Sequence, residues 1–566
     1  MTVRLLCALT CLFALPVFAA ENEASGTATQ APKDKNAPIS SEEFERLKAQ
    51  LAVQQRQIEQ LRLALEAQQK ILNRATSPTA PATDEKQSGF SLPSPTLGEV
   101  ATTSPVIPGS GNAVPSSVVN SKMSQGGDAP SPLQLKIGDT YLLPYGWMDL
   151  TYVFRSKNMG SGIGSNFAAV PFANTVAGKQ YDGQLSPQNS RLGLRLDTIV
   201  HGAKVLGIFE TDFLGNQPAG ILINTNSAVL RLRLAFVDVR KGKIELLGGQ
   251  GWSMLTPSRK GIAVTSSDVF IGLTGDVNYL VGLPWARIPT FRVVWHPTET
   301  IAWGFAAEEA QQYGGGGSGS ATVTYPSALS AGLANQINTN AQNFAVPTVH
   351  PDLVTKIAFD PVVNEHLLHF EVGGEERTYR IVDPVDFTKH TKEGGAVFIN
   401  SNLELIKGGK FRLFENVYYG NGGARYLFAS GPDLTVAANG NLNLVKAFGT
   451  IDGFEAQATK NLVLYGYYGI DYFGRSVNID TNGKPVGYGY TGSANSNNRT
   501  IDELTVGLQN TFWRDPKWGQ LRFDIQYSYL FRNPWYVATG ALSQATTNML
   551  WLNLRYALPG TAPSLK

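Results

Sequence analysis

The sequence predicts an all-β fold, a transmembrane antiparallel β-barrel of about 16 strands, preceded by an N-terminal α-helical coiled coil. Three observations predict it: few charges, an apolar–polar alternation at every second residue, and joints that alternate between short and long. Of the 566 residues, 16% are charged, against roughly 25% in ordinary soluble domains. After the first twenty residues, no stretch approaches the roughly 18 apolar residues of a spanning helix. Helices and closed β-barrels are the structures that form all their backbone hydrogen bonds within lipid, so with no spanning helix the sequence predicts a closed barrel.

The first element is a predicted signal peptide over residues 1–20. A positive residue, Arg4, precedes an apolar run over residues 5–18, and small residues close the segment. Both cysteines, Cys7 and Cys11, lie within it. A disulfide scaffold is therefore excluded, and the exported chain is predicted to contain no cysteine.

Residues 40–75 carry the helical pattern, between a short flexible segment (21–39) and a linker (76–132). Apolar or neutral side chains repeat there at alternating spacings of three and four, which predicts a coiled coil. A single amphipathic helix packed on the rest of the protein is the alternative. The linker is rich in Pro, Ser, Thr, Gly and Ala and cannot bury enough apolar surface to fold. The seam positions are Phe44, Leu47, Leu51, Gln54, Ile58, Leu61, Leu65, Gln68 and Leu72.

Residues 133–558 alternate with period two and are predicted to form the barrel, followed by a short tail (559–566). Strands with apolar side chains on one face and charged side chains on the other are typical of barrels with lipid outside and water inside. A soluble β-sandwich also alternates, but its polar face rarely carries so much Arg, Asp and Gln. The same alternation predicts that Leu232, Leu234 and Phe236 face lipid. The clearest strand places Leu521, Phe523, Ile525, Tyr527, Tyr529 and Phe531 opposite Arg522, Asp524, Gln526, Ser528 and Arg532.

The joints between these strands alternate in length, as the turns and loops of outer-membrane barrels do. This alternation places both ends of the barrel on the side of the short turns, which is the periplasmic side. Short turns are predicted at 201–204, 240–243, 296–300, 360–365, 407–410, 460–461 and 514–519. Long joints are predicted at 156–189, 214–227, 252–286, 309–352, 373–395, 419–446, 474–501 and 532–547.

The sequence offers no sign of catalytic or metal chemistry. It has no HExxH, P-loop or GxSxG motif. His366 and His369 are three residues apart, which on a strand places them on opposite faces, so they predict no metal site. The formal charge of +2 argues against binding to nucleic acid. We therefore expect neither an enzyme nor a cofactor.

Arginine on the predicted water face is the main candidate for function. Guanidinium groups bind carboxylates and phosphates, so a pore lined by them would favour anions. Glu210 and Asp212 lie on the strand between two of these positions, and pairing with them could neutralise much of the wall. These predicted lumen positions are Arg195, Arg231, Arg233, Arg292, Arg522 and Arg555.

The third long joint, residues 252–286, is a candidate constriction. It carries Arg259, Lys260 and Asp268. The joint could fold into the lumen and narrow it, or it could cap the barrel from outside.

Several segments resemble the DcaP-like trimeric outer-membrane porins. They read LKIG at 135–138, YGWMD at 145–149, SRLGLR at 190–195, LRLR at 230–233 and GQGWS at 249–253. The resemblance implies a trimer of sixteen-stranded barrels with a periplasmic coiled coil, and passive uptake of small anionic solutes such as dicarboxylates. By the matching segments, it also implies a role in guiding solutes for Arg191, Arg195, Arg231 and Arg233.

Together these features predict a porin in the outer membrane of a Gram-negative-type bacterium, with its coiled coil in the periplasm. Small hydrophilic, preferentially anionic solutes would diffuse passively through an arginine-lined lumen. Its expected partners are outer-membrane lipid and two further copies of the chain, held through the coiled coil and the barrel walls. The alternative is a structural or adhesive outer-membrane barrel that the coiled coil tethers in the periplasm.

Overall fold

The computed structural model describes residues 132–215, 228–262, 275–316, 321–339 and 347–559. The predicted signal peptide, flexible segment and coiled coil lie outside these ranges, as do the linker before its last residue and the tail after residue 559. Within the described ranges, no helix is long and apolar enough to cross a membrane.

Sixteen antiparallel strands form a closed barrel, because the first strand pairs with the second on one side and with the sixteenth on the other. Short strands at Leu135–Ile137 and Asp182–Ser186 extend the pairing of the first strand. The barrel strands are β1 (Thr140–Arg155), β2 (Arg191–Val200), β3 (Ala203–Asp212), β4 (Arg231–Lys241), β5 (Ile244–Trp252), β6 (Arg287–Trp295), β7 (Ile301–Glu308), β8 (Asp352–Phe359), β9 (His366–Val382), β10 (Lys389–Ile406), β11 (Phe411–Asn421), β12 (Lys446–Gln457), β13 (Leu462–Phe473), β14 (Asn498–Asp515), β15 (Gly519–Pro534) and β16 (Ala545–Ala557).

Side chains alternate between the two faces of the wall, as predicted. On β15, Arg522 and Gln526 are buried inside the barrel, whereas Tyr527 is 40% exposed on the outer face. On β16, Leu554 is 43% exposed, and its neighbour Arg555 points inward. The apolar outer face and polar inner face are those of a membrane barrel with a polar interior.

The prediction that Leu234 and Phe236 face lipid is wrong. A β-bulge in β4 shifts the pairing with β3, so that Arg233 is the extra residue. A bulge of this kind reverses the alternation beyond it. Both apolar side chains consequently lie inside the barrel, where they pack near Trp252.

The prediction of a fifth long joint at 373–395 is also wrong, because most of these residues belong to strands β9 and β10. β9 and β10 pair continuously to Val382 and Lys389, and only residues 383–388 form the turn. Gly373 within β9 serves close packing, since a Cβ there would overlap the Phe398 ring. The other seven long joints all leave one end of the barrel, called here the loop end. Both barrel termini lie at the opposite, short-turn end.

Two small hairpins lie in the long joints at the loop end. One pairs Leu434–Val436 with Leu442–Leu444, and the other pairs Ser476–Ile479 with Pro485–Tyr488. A short helix at Ser330–Leu333 packs against the first of them.

Candidate solute path

The third long joint is called here the crossing loop, and its described parts, residues 252–262 and 275–286, lie inside the barrel. The joint leaves β5 and returns at β6, yet it contacts the opposite wall at β13, β14 and β15, six to eight strands away. Its backbone N–H groups donate to inward-facing side chains there: Gly275 to Gln526 (2.6 Å), Val281 to Glu503 (3.1 Å) and Gly282 to Asp471 (3.1 Å). The loop therefore crosses the interior and restricts it.

Two glycines allow the crossing loop to lie flat on the far wall. Gly282 has a φ of +85°, and a Cβ there would overlap the carbonyl oxygen of Thr450 on β12. A Cβ at Gly469 on β13 would overlap the carbonyl oxygen of Val281. Glycine on both surfaces thus permits backbone-to-backbone contact between loop and wall.

The first part of the crossing loop is held by a second buried group, called here the loop latch. Three loop backbone groups bind it: Thr256 O accepts from Lys356 Nζ (2.9 Å), Ser258 N–H donates to Glu371 (3.4 Å), and Gly261 N–H donates to Asp360 (2.9 Å). His369 completes the latch, with its Nδ1 2.6 Å from Asp360 and its Nε2 3.2 Å from Glu371. Lys356 Nζ also lies 3.1 Å from Glu371. These contacts, together with those to β13, β14 and β15, fix the crossing loop inside the barrel.

The three charged residues predicted for this loop have different surroundings. Both terminal nitrogens of the Arg259 guanidinium group donate to Glu455 on β12, at 2.7 and 2.9 Å, so Arg259 also joins the loop to the wall. Lys260 is partly exposed. Asp268 lies outside the described residues.

At the loop end, four arginines converge on the crossing loop and are called here the arginine cluster. They belong to β2, β4 and the start of β6, and β3 between β2 and β4 supplies two carboxylates. The cluster is Arg191, Arg231, Arg233 and Arg287, and its ion pairs are Arg191–Glu210 (3.4 Å), Arg233–Glu210 (2.8 Å), Arg233–Asp212 (2.8 Å) and Arg231–Asp212 (2.7 Å). Four guanidinium groups thus face two carboxylates.

Arg287 is the member that the sequence analysis missed. Its guanidinium carbon lies 5.3 Å from the Trp252 ring and 5.1 Å from the Trp285 ring, within cation–π range. Among the described residues it forms no ion pair, and its Nη1 is buried without a hydrogen-bond partner. Counting every second residue from Arg292 places it on the outer face, so alternation could not reveal it.

Tyr279 of the crossing loop reports the net charge of this cluster. Its hydroxyl accepts a hydrogen bond from Arg233 Nη2 at 3.3 Å, and its ring packs against Trp285. Burial alone would raise the pKa of Tyr279, but the positive charges of Arg233, Arg287 and Arg191 hold that pKa below its usual value. The cause is the formal charge of the cluster, in which four guanidinium groups outnumber the two carboxylates of β3.

Further arginines continue from the cluster toward the short-turn end. The Trp147 ring lies between Arg191 and Arg555, at 4.1 and 4.5 Å from their guanidinium carbons. Three of the remaining predicted arginines have a carboxylate partner each: Arg555 with Asp149 (2.7 Å), Arg522 with Asp524 (3.1 Å) and Arg195 with Asp197 (2.6 Å).

All seven predicted lumen arginines thus lie on the inner face, but they are not an open wall of free charge. Six form ion pairs, and Arg231 is the most exposed of those six, with 33% of its side chain accessible. Arg292 is 1% exposed and donates to the carbonyl oxygen of Trp252 at 2.7 Å, beneath the start of the crossing loop. Pairing with carboxylates therefore neutralises most of the arginines on the inner wall, and the arginine cluster is the exception.

Within the part of the chain that the structure describes, no three or more His, Cys, Asp or Glu side chains are placed to hold a metal ion. His369 belongs to the loop latch instead.

Comparison with known proteins shows similarity in fold. No protein-family model matches the chain, and no curated protein sequence matches it. Among solved structures, the outer membrane channel DcaP of Acinetobacter baumannii is 16% identical, covers 75% of this chain and 98% of its own, and gives a TM-score of 0.53. The anion-selective porin of Comamonas acidovorans is 12% identical, with coverages of 74% and 99% and a TM-score of 0.41. The resemblance to DcaP-like porins is confirmed at the level of the fold.

Proposed function

We propose that this chain is an outer-membrane porin through which small hydrophilic solutes diffuse passively, with a preference for anions. The observation that carries the preference is the arginine cluster, where four guanidinium groups face two carboxylates beside the crossing loop. Positive charge in a restricted, partly dehydrated interior attracts anions more strongly than it would in bulk water. Arg287, which has no ion pair among the described residues, is the strongest single candidate for contact with a passing carboxylate.

The wall supports the membrane location. Its outward side chains are apolar on most strands, as lipid contact requires, and its short turns lie at one end. In the orientation usual for such barrels, the loop end faces outward and the short-turn end faces the periplasm. The predicted coiled coil over residues 40–75 would then lie in the periplasm.

Channel activity is tested by planar-bilayer conductance of the purified full chain in a salt gradient. We expect stable single-channel currents and a reversal potential on the anion side. Replacing Arg287→Gln should move that potential toward zero. The matched control is Arg475→Gln, which also removes an unpaired guanidinium from a tryptophan ring, but at the loop-end rim. Absence of currents would overturn the porin proposal and favour a structural or adhesive barrel, whereas equal potentials in both variants would overturn the role of Arg287.

We further propose a homotrimer, held by the barrel walls and the coiled coil. Cross-linking of the intact protein in membranes should trap trimers. A variant lacking residues 40–75 separates the two contributions: we expect its trimers to dissociate at lower detergent concentrations. Monomers from both proteins would overturn the trimer.

A further inference from the structure

A group of exposed cations lies on the loop-end rim, above strands β12–β15, and is called here the rim patch. It consists of Lys446, Arg475 and Arg499 with the rings of Tyr472 and Trp535. Both guanidinium carbons lie over the same Trp535 ring, at 5.6 Å for Arg475 and 6.0 Å for Arg499. Lys446 begins β12, beside the end of β13, where its carbonyl oxygen accepts from Gly474 N–H.

Trp535 is held in place from several sides, so the patch has a fixed centre. Its indole N–H donates to the carbonyl oxygen of Phe473 at 2.9 Å, and its ring packs edge-on against Tyr472. Gly489, with a φ of +76°, lies against the same ring, and a Cβ there would meet Trp535 at 2.7 Å and Arg475 Cβ at 2.9 Å. The indole therefore orients both guanidinium groups.

Within the described ranges, no carboxylate forms an ion pair with the cations of the rim patch. Neither Arg475 nor Arg499 forms an ion pair or a hydrogen bond among the described residues, and both are exposed. By contrast, most arginines inside the barrel bind carboxylates. Because both cations lie within about 6 Å of one indole ring, an anion bound beside that ring would be attracted by both charges. Guanidinium pairs suit phosphate in particular, because each presents a planar fork of donors.

The height of the patch points to a membrane lipid. Tyr472 alternates with Phe473, which is fully buried inside, so the Tyr472 ring lies on the outer face. Below it on β13, the outward positions are Ile470, Tyr468 and Leu464. Aromatic side chains mark the membrane–water interface, and cations just beyond them lie at the level of lipid headgroups.

We propose that the rim patch binds the phosphate of a lipid headgroup in the outer leaflet, with Arg475 and Arg499 clamping it and Lys446 adding charge at its edge. The proposal rests on the membrane orientation given above and does not depend on channel activity. The occupant we propose is a phosphorylated glycolipid, because it carries phosphates at the headgroup level at which the outward aromatic Tyr472 places the patch.

The test is binding of bisphosphorylated lipid A to the full chain in detergent, counted by native mass spectrometry, with dephosphorylated lipid A and inorganic phosphate in parallel. We expect the double variant Arg475→Gln/Arg499→Gln to bind lipid A about ten-fold or more weakly. The control Lys179→Gln/Lys484→Gln removes the same charge from exposed positions outside the rim patch, one in the first long joint and one at the turn of the second hairpin, and should bind as the unaltered chain does. Single-channel currents of both variants should be unchanged, which separates this result from the fate of the porin proposal.

Three outcomes would overturn the lipid site. The first is equal binding by the two double variants. The second is equal binding of lipid A with and without its phosphates. The third is displacement of lipid A by millimolar inorganic phosphate, which would show a site for free phosphate. Loss of binding confined to Arg475→Gln/Arg499→Gln and to the phosphorylated lipid would support it.

Discussion

Glu415 and Asp452 are directly paired across strands β11 and β12, and both carboxylates point outward. Glu415 lies four residues from Phe411 and four from Tyr419, so it is in the middle of the apolar outer band. Neither carboxylate forms an ion pair or hydrogen bond among the described residues. An unpaired acid on the lipid face of a barrel is destabilising, and two adjacent like charges add repulsion.

We therefore predict that Glu415→Leu/Asp452→Leu stabilises the barrel in phospholipid vesicles by about 1–2 kcal/mol, measured by urea unfolding. The control, Glu393→Leu, removes an exposed outward acid near the loop-end turn and should change stability little. A stability loss accompanied by dissociation of oligomers would show instead that this face is covered by another protein.

Lys356 of the loop latch is 1% exposed and joins the wall to the crossing loop through Glu371 and the carbonyl oxygen of Thr256. Lys356→Met removes the charge and leaves His369 as the ion-pair partner of Glu371 among the described residues. Removing one partner of a buried ion pair is costly, so we predict a loss of about 3 kcal/mol in unfolding free energy. Because the loop loses a contact, single-channel currents should also become noisier. Lys204→Met, at an exposed turn, is the control; equal behaviour of the two variants would refute the latch.

Local alternation was enough to predict the strand faces and the inward arginines, because a strand's side chains follow its own period. Alternation failed where the register between neighbouring strands determines which face a side chain occupies. The β4 bulge depends on register with β3, and it reverses Leu234 and Phe236. Arg287 is the first residue of β6, next to the crossing loop, and its side chain lies against Trp252 and Trp285 instead of following the alternation of that strand. The position of that loop depends on contacts with strands two hundred residues away, such as Glu503.

Asp276 of the crossing loop gives a pH prediction. It is 2% exposed, and burial raises its pKa, while the backbone N–H groups of Ser165 and Asn278 partly oppose this shift. Since its pKa in the folded protein exceeds the unfolded value of about 4, ionisation costs folding free energy. That cost is absent below about pH 4, sets in as pH rises, and is complete above the folded pKa.

Asp276→Asn removes the titration, so the stability of the unaltered chain relative to this variant should fall as the pH rises above about 4. Urea unfolding at several pH values measures it. Asp386 in the β9–β10 turn is the opposite case, because the N–H of Thr388 lowers its pKa. Asp386→Asn should therefore show no pH-dependent difference above about pH 5. A flat difference for Asp276→Asn would contradict the assignment.

Gly282 provides the sharpest test of how the crossing loop reaches the far wall. Gly282→Ala adds a Cβ that overlaps the Thr450 carbonyl oxygen, so the loop must move away and give up the Gly282 N–H bond to Asp471. We predict a stability loss of about 1–3 kcal/mol and a larger single-channel conductance. Gly540→Ala is the matched control, since Gly540 has nearly the same φ, +80° against +85°, with open space around it. Both variants carry the same backbone strain, so an equal effect on conductance would show that contact with the wall does not position the loop.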